Sequence, residues 1–377
     1  MRRRLTISVL FGCLCVTMYV AASTSATAAE GRFGVGLKLG KVVHTIPVGA
    51  AVGPWLVWDK STCSYRQTTN HPKTYRAAVR KVVGGPTTVG YLHYGDTDPF
   101  GVANSKSINA MAKLAGMKIN RYNLKYPSET EPLVQARNAI TKKEPAVLEG
   151  QQIDTLSNAF LKILQKDGCI PPVQLYLPVK NVPSFGAVWA DAGTTQGTWL
   201  AQQAKKRGWT PSDTALVSCT DPTVGSAVNI MFDTAQKALL ANGFKLAKSN
   251  IFRLVCKYSA TESAQVRITD WLTAHPNFKH LLINTIDDER AQGEINALKQ
   301  AGRLGDALTI ANGVDQLGQQ QIRAGLESAS VAFFPEKYGE WLIPILQDVM
   351  AGNPVPSFTG SNLVVITKAN INRYYKP

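Results

Sequence analysis

Residues 271–302, WLTAHPNFKHLLINTIDDERAQGEINALKQAG, decide the fold class. A helical pattern ends at His275-Pro276, and the apolar run 279–287 has the length and composition of a buried strand. An acidic corner, Asp287-Asp288-Glu289, then opens a second helical pattern that ends at Gly302. A helix, a buried strand and a helix in this order predict part of a parallel sheet covered by helices.

The same alternation extends in both directions along the chain. Towards the N-terminus, strand-like runs at 214–220 and 251–258 are separated by a helical stretch at 224–243, and another strand-like run follows at 307–314. An earlier series has strand-like runs at 87–94, 118–124, 145–151 and 173–178, with helical patterns between them. We therefore predict an α/β protein with two doubly wound units, separated by the Pro- and Gly-containing stretch 178–186.

The first 28 residues have the layout of a secretory signal peptide. Arg2, Arg3 and Arg4 precede an apolar stretch, and small residues follow up to Ala28, which predicts export to the periplasm or the cell exterior by a cleavable signal. An uncleaved anchor and a lipoprotein attached through Cys13 are alternatives, although Phe11 fits the lipid-attachment pattern poorly. Residues 29–86 are rich in glycine and do not fit the alternating scheme, so we treat them as an N-terminal extension.

Four cysteines lie beyond the signal, and export places them in an oxidising compartment. Since the sequence has neither a C-x-x-C pair nor a nearby histidine, we expect two disulfides and no metal. Three pairings are possible. Cys219 and Cys256 end successive strand-like runs that one helix separates, so we favour Cys219 with Cys256, which leaves Cys63 with Cys169.

The chain is basic, but its charge does not indicate a nucleic-acid partner. Removal of the three signal arginines lowers the formal net charge from +15 to +12, and the sequence contains no Lys/Arg run with interleaved aromatic residues. It also lacks the G-x-S-x-G, H-E-x-x-H and P-loop patterns, and its five histidines form no recognisable constellation. We therefore expect no cofactor and no enzymatic activity.

Three stretches resemble the type I periplasmic solute-binding proteins, the ribose- and galactose-binding group of ABC importers. The stretch quoted above is similar to their second lobe, and the turn Asp98-Pro99-Phe100 is similar to the short polar turn after their first strand. Residues 330–356, SVAFFPEKYGEWLIPILQDVMAGNPVP, resemble their late crossover. In this order, the resemblance covers the chain from residue 87 to the C-terminus.

The resemblance implies two Rossmann-like lobes joined by three chain crossings. Lobe one would contain residues 87–186 and 334–358, and lobe two residues 187–333 and 359–377. It also implies a monomer that closes on a small molecule and delivers it to an ABC permease. A sensor that presents its closed form to a membrane receptor is an alternative. A secreted enzyme and a lac repressor-type regulator fit less well, since the regulator begins with a DNA-binding motif and lacks a signal.

The candidate ligand contacts lie at the ends of strands, where open α/β sheets bind ligands. In the first lobe, Asp98 would accept hydrogen bonds from the ligand and Phe100 would stack on it, although Asp98 could instead cap the next helix. By the resemblance and by their positions at strand ends, the full set of candidates is Asp98, Phe100, Gln151, Tyr176, Asp191, Asn229, Tyr258, Asp287, Asn312 and Phe333.

Three of these positions depart from the sugar-binding members of the family. Tyr176 and Leu177 stand where those members carry an Asp-Arg pair, Asn229 stands in place of an arginine, and Phe333 stands in place of a glutamine. A sugar needs polar partners for its hydroxyls, and an unpaired buried hydroxyl costs about 1–3 kcal/mol. The substitutions therefore favour a larger or less polar ligand over a simple pentose or hexose.

Overall fold

The computed structural model describes residues 36–46, 50–93, 98–124, 130–150, 154–176, 178–257 and 260–377. Gln151 and Tyr258, two of the candidate contacts, lie outside these ranges, as does the signal segment. Across the described ranges, no helix is both long enough and apolar enough to span a membrane.

The described strands, in chain order, are β1 (Leu39–Thr45), β2 (Ala50–Asp59), β3 (Ser64–Thr68), β4 (Ala78–Val82), β5 (Thr87–His93), β6 (Met117–Asn123), β7 (Val147–Glu149), β8 (Pro172–Leu175), β9 (Ser184–Gly186), β10 (Thr214–Thr220), β11 (Ile251–Val255), β12 (His280–Thr285), β13 (Ala307–Gly313), β14 (Ala329–Ala332), β15 (Val355–Gly360) and β16 (Val364–Ile366). The described α-helices are α1 (Pro99–Ala115), α2 (Glu131–Thr141), α3 (Asp154–Lys162), α4 (Trp189–Lys206), α5 (Ser226–Ala241), α6 (Ala260–Ala274), α7 (Asp288–Gln300), α8 (Gln316–Ala324), α9 (Tyr338–Ala351) and α10 (Ile371–Tyr374).

These elements form two helix-covered sheets. The first has the strand order β3-β2-β15-β9-β8-β7-β5-β6, and the second has the order β11-β10-β12-β13-β14-β16. Pairing is parallel from β15 to β6 and from β11 to β14, while β2, β3 and β16 pair antiparallel at the sheet margins. Every residue of β8, β10 and β13 is buried, as expected of parallel strands covered on both faces.

The chain passes between the two sheets three times. The first crossing runs from β9 to α4, the second from β14 to α9, and the third from β15 to β16. The expected α/β class with two doubly wound lobes and a three-crossing hinge is therefore confirmed. Residues 184–186, which the sequence analysis placed in the separating stretch, form the buried strand β9.

The segment that the sequence analysis set apart as an extension contributes directly to the first sheet. Within it, β2 pairs with β15 and with β3, and β1 pairs with β4 in a separate two-stranded ribbon. The disulfide Cys63–Cys169 joins the β2–β3 turn to the segment before β8. The second disulfide, Cys219–Cys256, joins the ends of β10 and β11, so both favoured pairings are present.

Helices α4 and α5 of the second lobe pack unusually closely. A Cβ atom added at Gly193 would lie 2.0 Å from the carbonyl oxygen of Met231, and one at Gly197 would lie 1.9 Å from that of Ala235. Only glycine permits this backbone approach. The contact fixes α4, which begins directly after the first crossing.

Candidate functional site

Both sheets have the strand order that creates a crevice at their carboxyl ends. In each, the first strand of the parallel series lies between the second and the third: β5 between β6 and β7, and β10 between β11 and β12. The helices that follow the first and third strands leave on different sides, and in open α/β sheets this arrangement places a ligand crevice at the strand ends between them. The two lobes meet at these ends, because a Cβ atom on Gly313, the last residue of β13, would lie 3.4 Å from the ring of Phe100 in α1.

Aromatic side chains from both lobes and from the crossings form one cluster at this junction, which we call the interlobe aromatic cluster. Its members are Phe100, Tyr176, Trp189, Phe333 and Tyr338. The ring of Phe100 lies 5.9 Å from that of Tyr176 and 6.4 Å from that of Phe333. Trp189 packs edge-on to Phe333 at 5.5 Å. Tyr176 and Phe333 are almost fully buried, whereas Phe100 is partly exposed.

The backbone around the cluster carries three non-glycine residues in the left-handed region. Tyr176 follows β8 with φ 70°, Val314 follows β13 with φ 56°, and Phe334 follows β14 with φ 57°. Such conformations cost about 1–3 kcal/mol each and concentrate at functional sites. The β-branched Val314 is the least expected of the three. Their common position at strand ends supports a site at the interlobe junction.

Three helices begin near the interlobe junction, and each is capped at its N-terminus by an aspartate. Asp98 caps α1 by accepting hydrogen bonds of 3.0 Å from the backbone N–H groups of Phe100 and Gly101. Asp287 caps α7, and Asp315 caps α8. Together with Glu289 in the first turn of α7, they form a group that we call the acidic cleft set: Asp98, Asp287, Glu289 and Asp315.

Burial and mutual repulsion raise the pKa values of most of this set. Burial, and then the charge of Asp315, raise the pKa of Asp98 to about 7. Burial, followed by the charges of Asp287 and Asp98, raises the pKa of Glu289 to about 8. Burial also raises the pKa of Asp315 to about 6. Since Asp98 belongs to the first lobe and the other members to the second, like charges face each other across the junction.

Asp288, next to Asp287, has an internal role instead. It is fully buried, and its carboxylate accepts hydrogen bonds from the Ser330 hydroxyl at 2.7 Å and from the Asp315 backbone N–H at 3.0 Å. Burial raises its pKa well above the ordinary value. Asp287, the predicted contact at this corner, is exposed at the junction instead, with 35% of its side chain accessible.

A buried guanidinium ties together the strand ends of the second lobe. Arg290 in α7 donates through Nη2 to Asp221 Oδ2 at 2.8 Å and through Nε to the carbonyl oxygen of Cys256 at 3.0 Å. It also donates through Nη1 to Asp287. Asp221 follows β10, Cys256 follows β11 and Asp287 follows β12. Arg290 therefore bridges three neighbouring strands at the crevice.

The structure brings together five of the predicted ligand contacts: Asp98, Phe100, Tyr176, Asp287 and Phe333. The other described candidates lie elsewhere at the strand ends or in the following helices. Asn312 is 2% exposed, and its amide donates to the carbonyl oxygens of Thr285 and Ile286. Asp191 is exposed in the first turn of α4, and Asn229 bonds the Gly225 carbonyl within the first turn of α5.

Sequence reasoning missed Arg290 and Asp221. Asp221 had a usable signal, because Asp221-Pro222 at the end of β10 repeats Asp98-Pro99 at the corresponding place after β5. Arg290 had none, since nothing in a helical stretch reveals which strand ends its side chain will reach. Within the described part of the chain, no three acidic, histidine or cysteine side chains are arranged to hold a metal ion.

Comparison with known proteins agrees with this architecture. Residues 178–354 match a family described as a periplasmic binding protein domain. An ABC transporter L-arabinose-binding periplasmic protein from Azospirillum brasilense is 31% identical over 123 residues, which are 33% of this chain and 36% of that protein. The L-arabinose-binding periplasmic protein of Escherichia coli K12 is 26% identical over 198 residues, 51% of this chain and 59% of that one. The chain thus spans about a third and three fifths of these curated relatives.

Solved structures share the whole two-lobe arrangement. An ABC transporter periplasmic solute-binding protein from Actinobacillus succinogenes 130z with bound D-allose superposes with a TM-score of 0.66, covering 76% of this chain and 100% of that one at 19% identity. At this identity the likeness shows the fold alone. By its matched domain and its two-lobe architecture, the chain has the fold of the type I periplasmic binding proteins.

Proposed function

We propose that this protein is an exported solute-binding protein that captures a small sugar between its lobes and delivers it to an ABC importer. The observation that carries the proposal is the junction itself, where hydrogen-bond acceptors and aromatic rings from both lobes converge. Acceptors come from Asp98 in one lobe and from Asp287, Glu289 and Asp315 in the other.

This combination of groups suits a polyhydroxylated ligand. Carboxylates accept hydrogen bonds from hydroxyls, and such charge-assisted bonds are stronger than neutral ones. The C–H faces of a sugar ring can pack on an aromatic side chain such as Phe100, which provides apolar contact area. A ligand with many O–H donors would also relieve the repulsion between the facing carboxylates.

The relatives favour a neutral sugar over the less polar ligand that the sequence departures suggested. Both curated relatives are named for L-arabinose. Although Tyr176 and Phe333 replace polar contacts of sugar-binding members, the acidic cleft set supplies hydrogen-bond acceptors from both lobes. We therefore place a pentose or hexose first and an aromatic or apolar compound second. The partner would be the permease of an importer, reached after export.

The mechanism requires only binding and closure. A ligand held by one lobe gains further contacts when the other lobe closes on it, so it shifts the population towards the closed form. The three crossings, at 187–188, 333–337 and 361–363, are the segments that would bend. The permease would then recognise the closed surface.

A ligand screen with matched variants tests the proposal. Isothermal titration calorimetry would compare L-arabinose, D-galactose, D-allose and myo-inositol with aromatic and apolar acids. We expect a sugar to bind the wild-type protein, and Asp98→Ala combined with Phe100→Ala to abolish binding while the protein stays folded. Asp270→Ala, at an exposed position of α6, is the control and should bind normally. Binding of an acid but of none of the sugars would overturn the sugar assignment, and binding by the double variant would exclude this site.

A further inference from the structure

We infer that Arg290 is a positioning residue for the second-lobe side of the cleft, and that the Cys219–Cys256 disulfide fixes the strand end that holds Arg290 in place. Through these contacts, the disulfide determines how Asp287 is presented to a ligand. This inference rests on the proposed function, because it concerns the affinity of the same cleft.

Arg290 lies in the first turn of α7. Its side chain is 6% exposed and reaches acceptors after three adjacent strands: Asp221 after β10, Cys256 after β11 and Asp287 after β12. The strands β10 and β12 enclose the point where the order of the second sheet reverses. Arg290 therefore holds the two sides of the crevice at a defined separation.

Asp287 is oriented by two hydrogen bonds from Arg290. Its Oδ1 accepts the backbone N–H of Arg290 at 2.8 Å, and its Oδ2 accepts from the Arg290 guanidinium. A carboxylate has about four acceptor positions, so both oxygens are oriented and each keeps capacity for a ligand donor. Any movement of the guanidinium would change the direction in which these oxygens point.

Strand β11 lies at the margin of the second sheet, where β10 is its one partner among the described strands. Its end carries Cys256, whose carbonyl oxygen anchors Arg290 and whose backbone N–H donates to Thr220 at 2.7 Å. The disulfide to Cys219 in β10 adds a covalent bond at this point. Both cysteines are fully buried. Because the bond ties the end of β11 to β10, it holds the carbonyl oxygen of Cys256 close to the crevice.

The other disulfide is a natural control. Cys63–Cys169 joins the β2–β3 turn to the chain just before β8, at the amino-terminal edge of the first sheet and away from the carboxyl ends that form the cleft. It also has the larger sequence separation, 106 against 37. Its removal should therefore lower the melting temperature more, because a longer closed loop stabilises more, and yet leave the cleft unchanged.

The test compares affinity and stability in three variants, with L-arabinose as the probe. We expect Cys219→Ala with Cys256→Ala, and separately Arg290→Lys, to weaken binding at least about tenfold, or about 1.4 kcal/mol. Cys63→Ala with Cys169→Ala should change Kd by less than about twofold despite the larger fall in melting temperature. An affinity loss that follows the melting temperatures instead would mean a general structural effect and would overturn the inference.

A double-mutant cycle tests whether the disulfide acts through Arg290. Combining Arg290→Lys with loss of the Cys219–Cys256 bond should weaken binding little more than either change alone, because both displace the same carboxylate. Combining Arg290→Lys with loss of Cys63–Cys169 should give the product of the separate effects. A product in both cases would refute the shared route. If the variant without the Cys219–Cys256 bond does not fold, the Kd and melting temperature of Arg290→Lys decide.

Hydrogen exchange of the unliganded protein separates this inference from the proposed function. Loss of the Cys219–Cys256 bond should speed exchange of the Arg290 amide, which Asp287 protects, whereas loss of Cys63–Cys169 should not. If the wild-type protein binds no sugar but the two disulfide variants differ in Arg290 exchange in this way, the proposed function fails and the positioning role of Arg290 stands. If a sugar binds and exchange at Arg290 is unchanged, the inference fails and the function stands.

Discussion

Asp98→Asn should raise the stability of the protein at pH 8 and leave it unchanged at pH 4. Asp98 caps α1 through two backbone N–H groups, and asparagine caps helices about as well as aspartate. The substitution therefore keeps the cap and removes the charge. What it eliminates is the cost of a partly buried carboxylate that faces Asp315 and Asp287 of the other lobe.

The direction and magnitude of this stability difference follow from the pKa of Asp98. In the folded protein this pKa is raised from 3.8 to about 7, so the folded state holds the proton more tightly than the unfolded state does. The resulting stabilisation is complete below pH ~4 and is lost as the pH rises to about 7. At about 1.4 kcal/mol per pKa unit the full loss would be about 4 kcal/mol. Because Asp98 is partly exposed, solvent screening reduces it by about half, to about 2 kcal/mol.

Urea denaturation of the unliganded protein at pH 4, 6 and 8 measures this difference. The variant should gain about 2 kcal/mol over wild type at pH 8 and almost nothing at pH 4. Asp59→Asn is the control with the opposite sign, since hydrogen bonds from Ser61 hold the pKa of the partly exposed Asp59 below its ordinary value. Its stabilising effect is present above pH ~4 and lost in acid. If Asp98→Asn lowers stability at pH 8, or keeps the wild-type pH profile, then burial and the facing carboxylates do not disfavour the charge of Asp98.

Two further predictions concern stability alone. Gly197→Ala should destabilise the protein by about 1–3 kcal/mol in urea denaturation, because the new methyl group would lie 1.9 Å from the carbonyl oxygen of Ala235. Gly305→Ala is the control and should not change the stability, since a Cβ atom there would have no atom within 4 Å. Replacing Cys63 and Cys169 by alanine should cost about 5 kcal/mol in the chain-entropy model, since the bond spans a sequence separation of 106. A cost below about 1 kcal/mol would show that the unfolded chain is already restricted there.

The second lobe could be predicted from the sequence because its pairing is nearly sequential. Each strand from β10 to β14 pairs with a strand close to it in the chain, and helices of ordinary length connect them. The contribution of residues 50–68 to the first sheet could not be predicted in this way. Their strand β2 pairs antiparallel with β15, roughly three hundred residues away, and no local pattern specifies such a long-range partner.

The same distinction explains which parts of the site were foreseeable. Asp98 is recognisable because its role is local: a strand ends, an aspartate follows, and Pro99 starts a helix. Arg290 is embedded in a helical pattern, and its partners Asp221 and Cys256 come from strands that precede it by 69 and 34 residues. Local signals therefore locate the edges of the cleft, whereas its cross-links depend on tertiary structure.

The arrangement of charge suggests why closure would depend on ligand under the proposed function. Asp98 faces the carboxylates of the second lobe only when the lobes are together, so closing the empty cleft costs either protonation or repulsion. A sugar would supply hydroxyl donors to carboxylates on both sides at once, and these contacts exist only in the closed form. Its affinity therefore differs between the two forms, which is the requirement for a ligand to shift a conformational equilibrium. The raised pKa values and the ligand-driven closure would then have one cause, the meeting of acidic side chains from the two lobes.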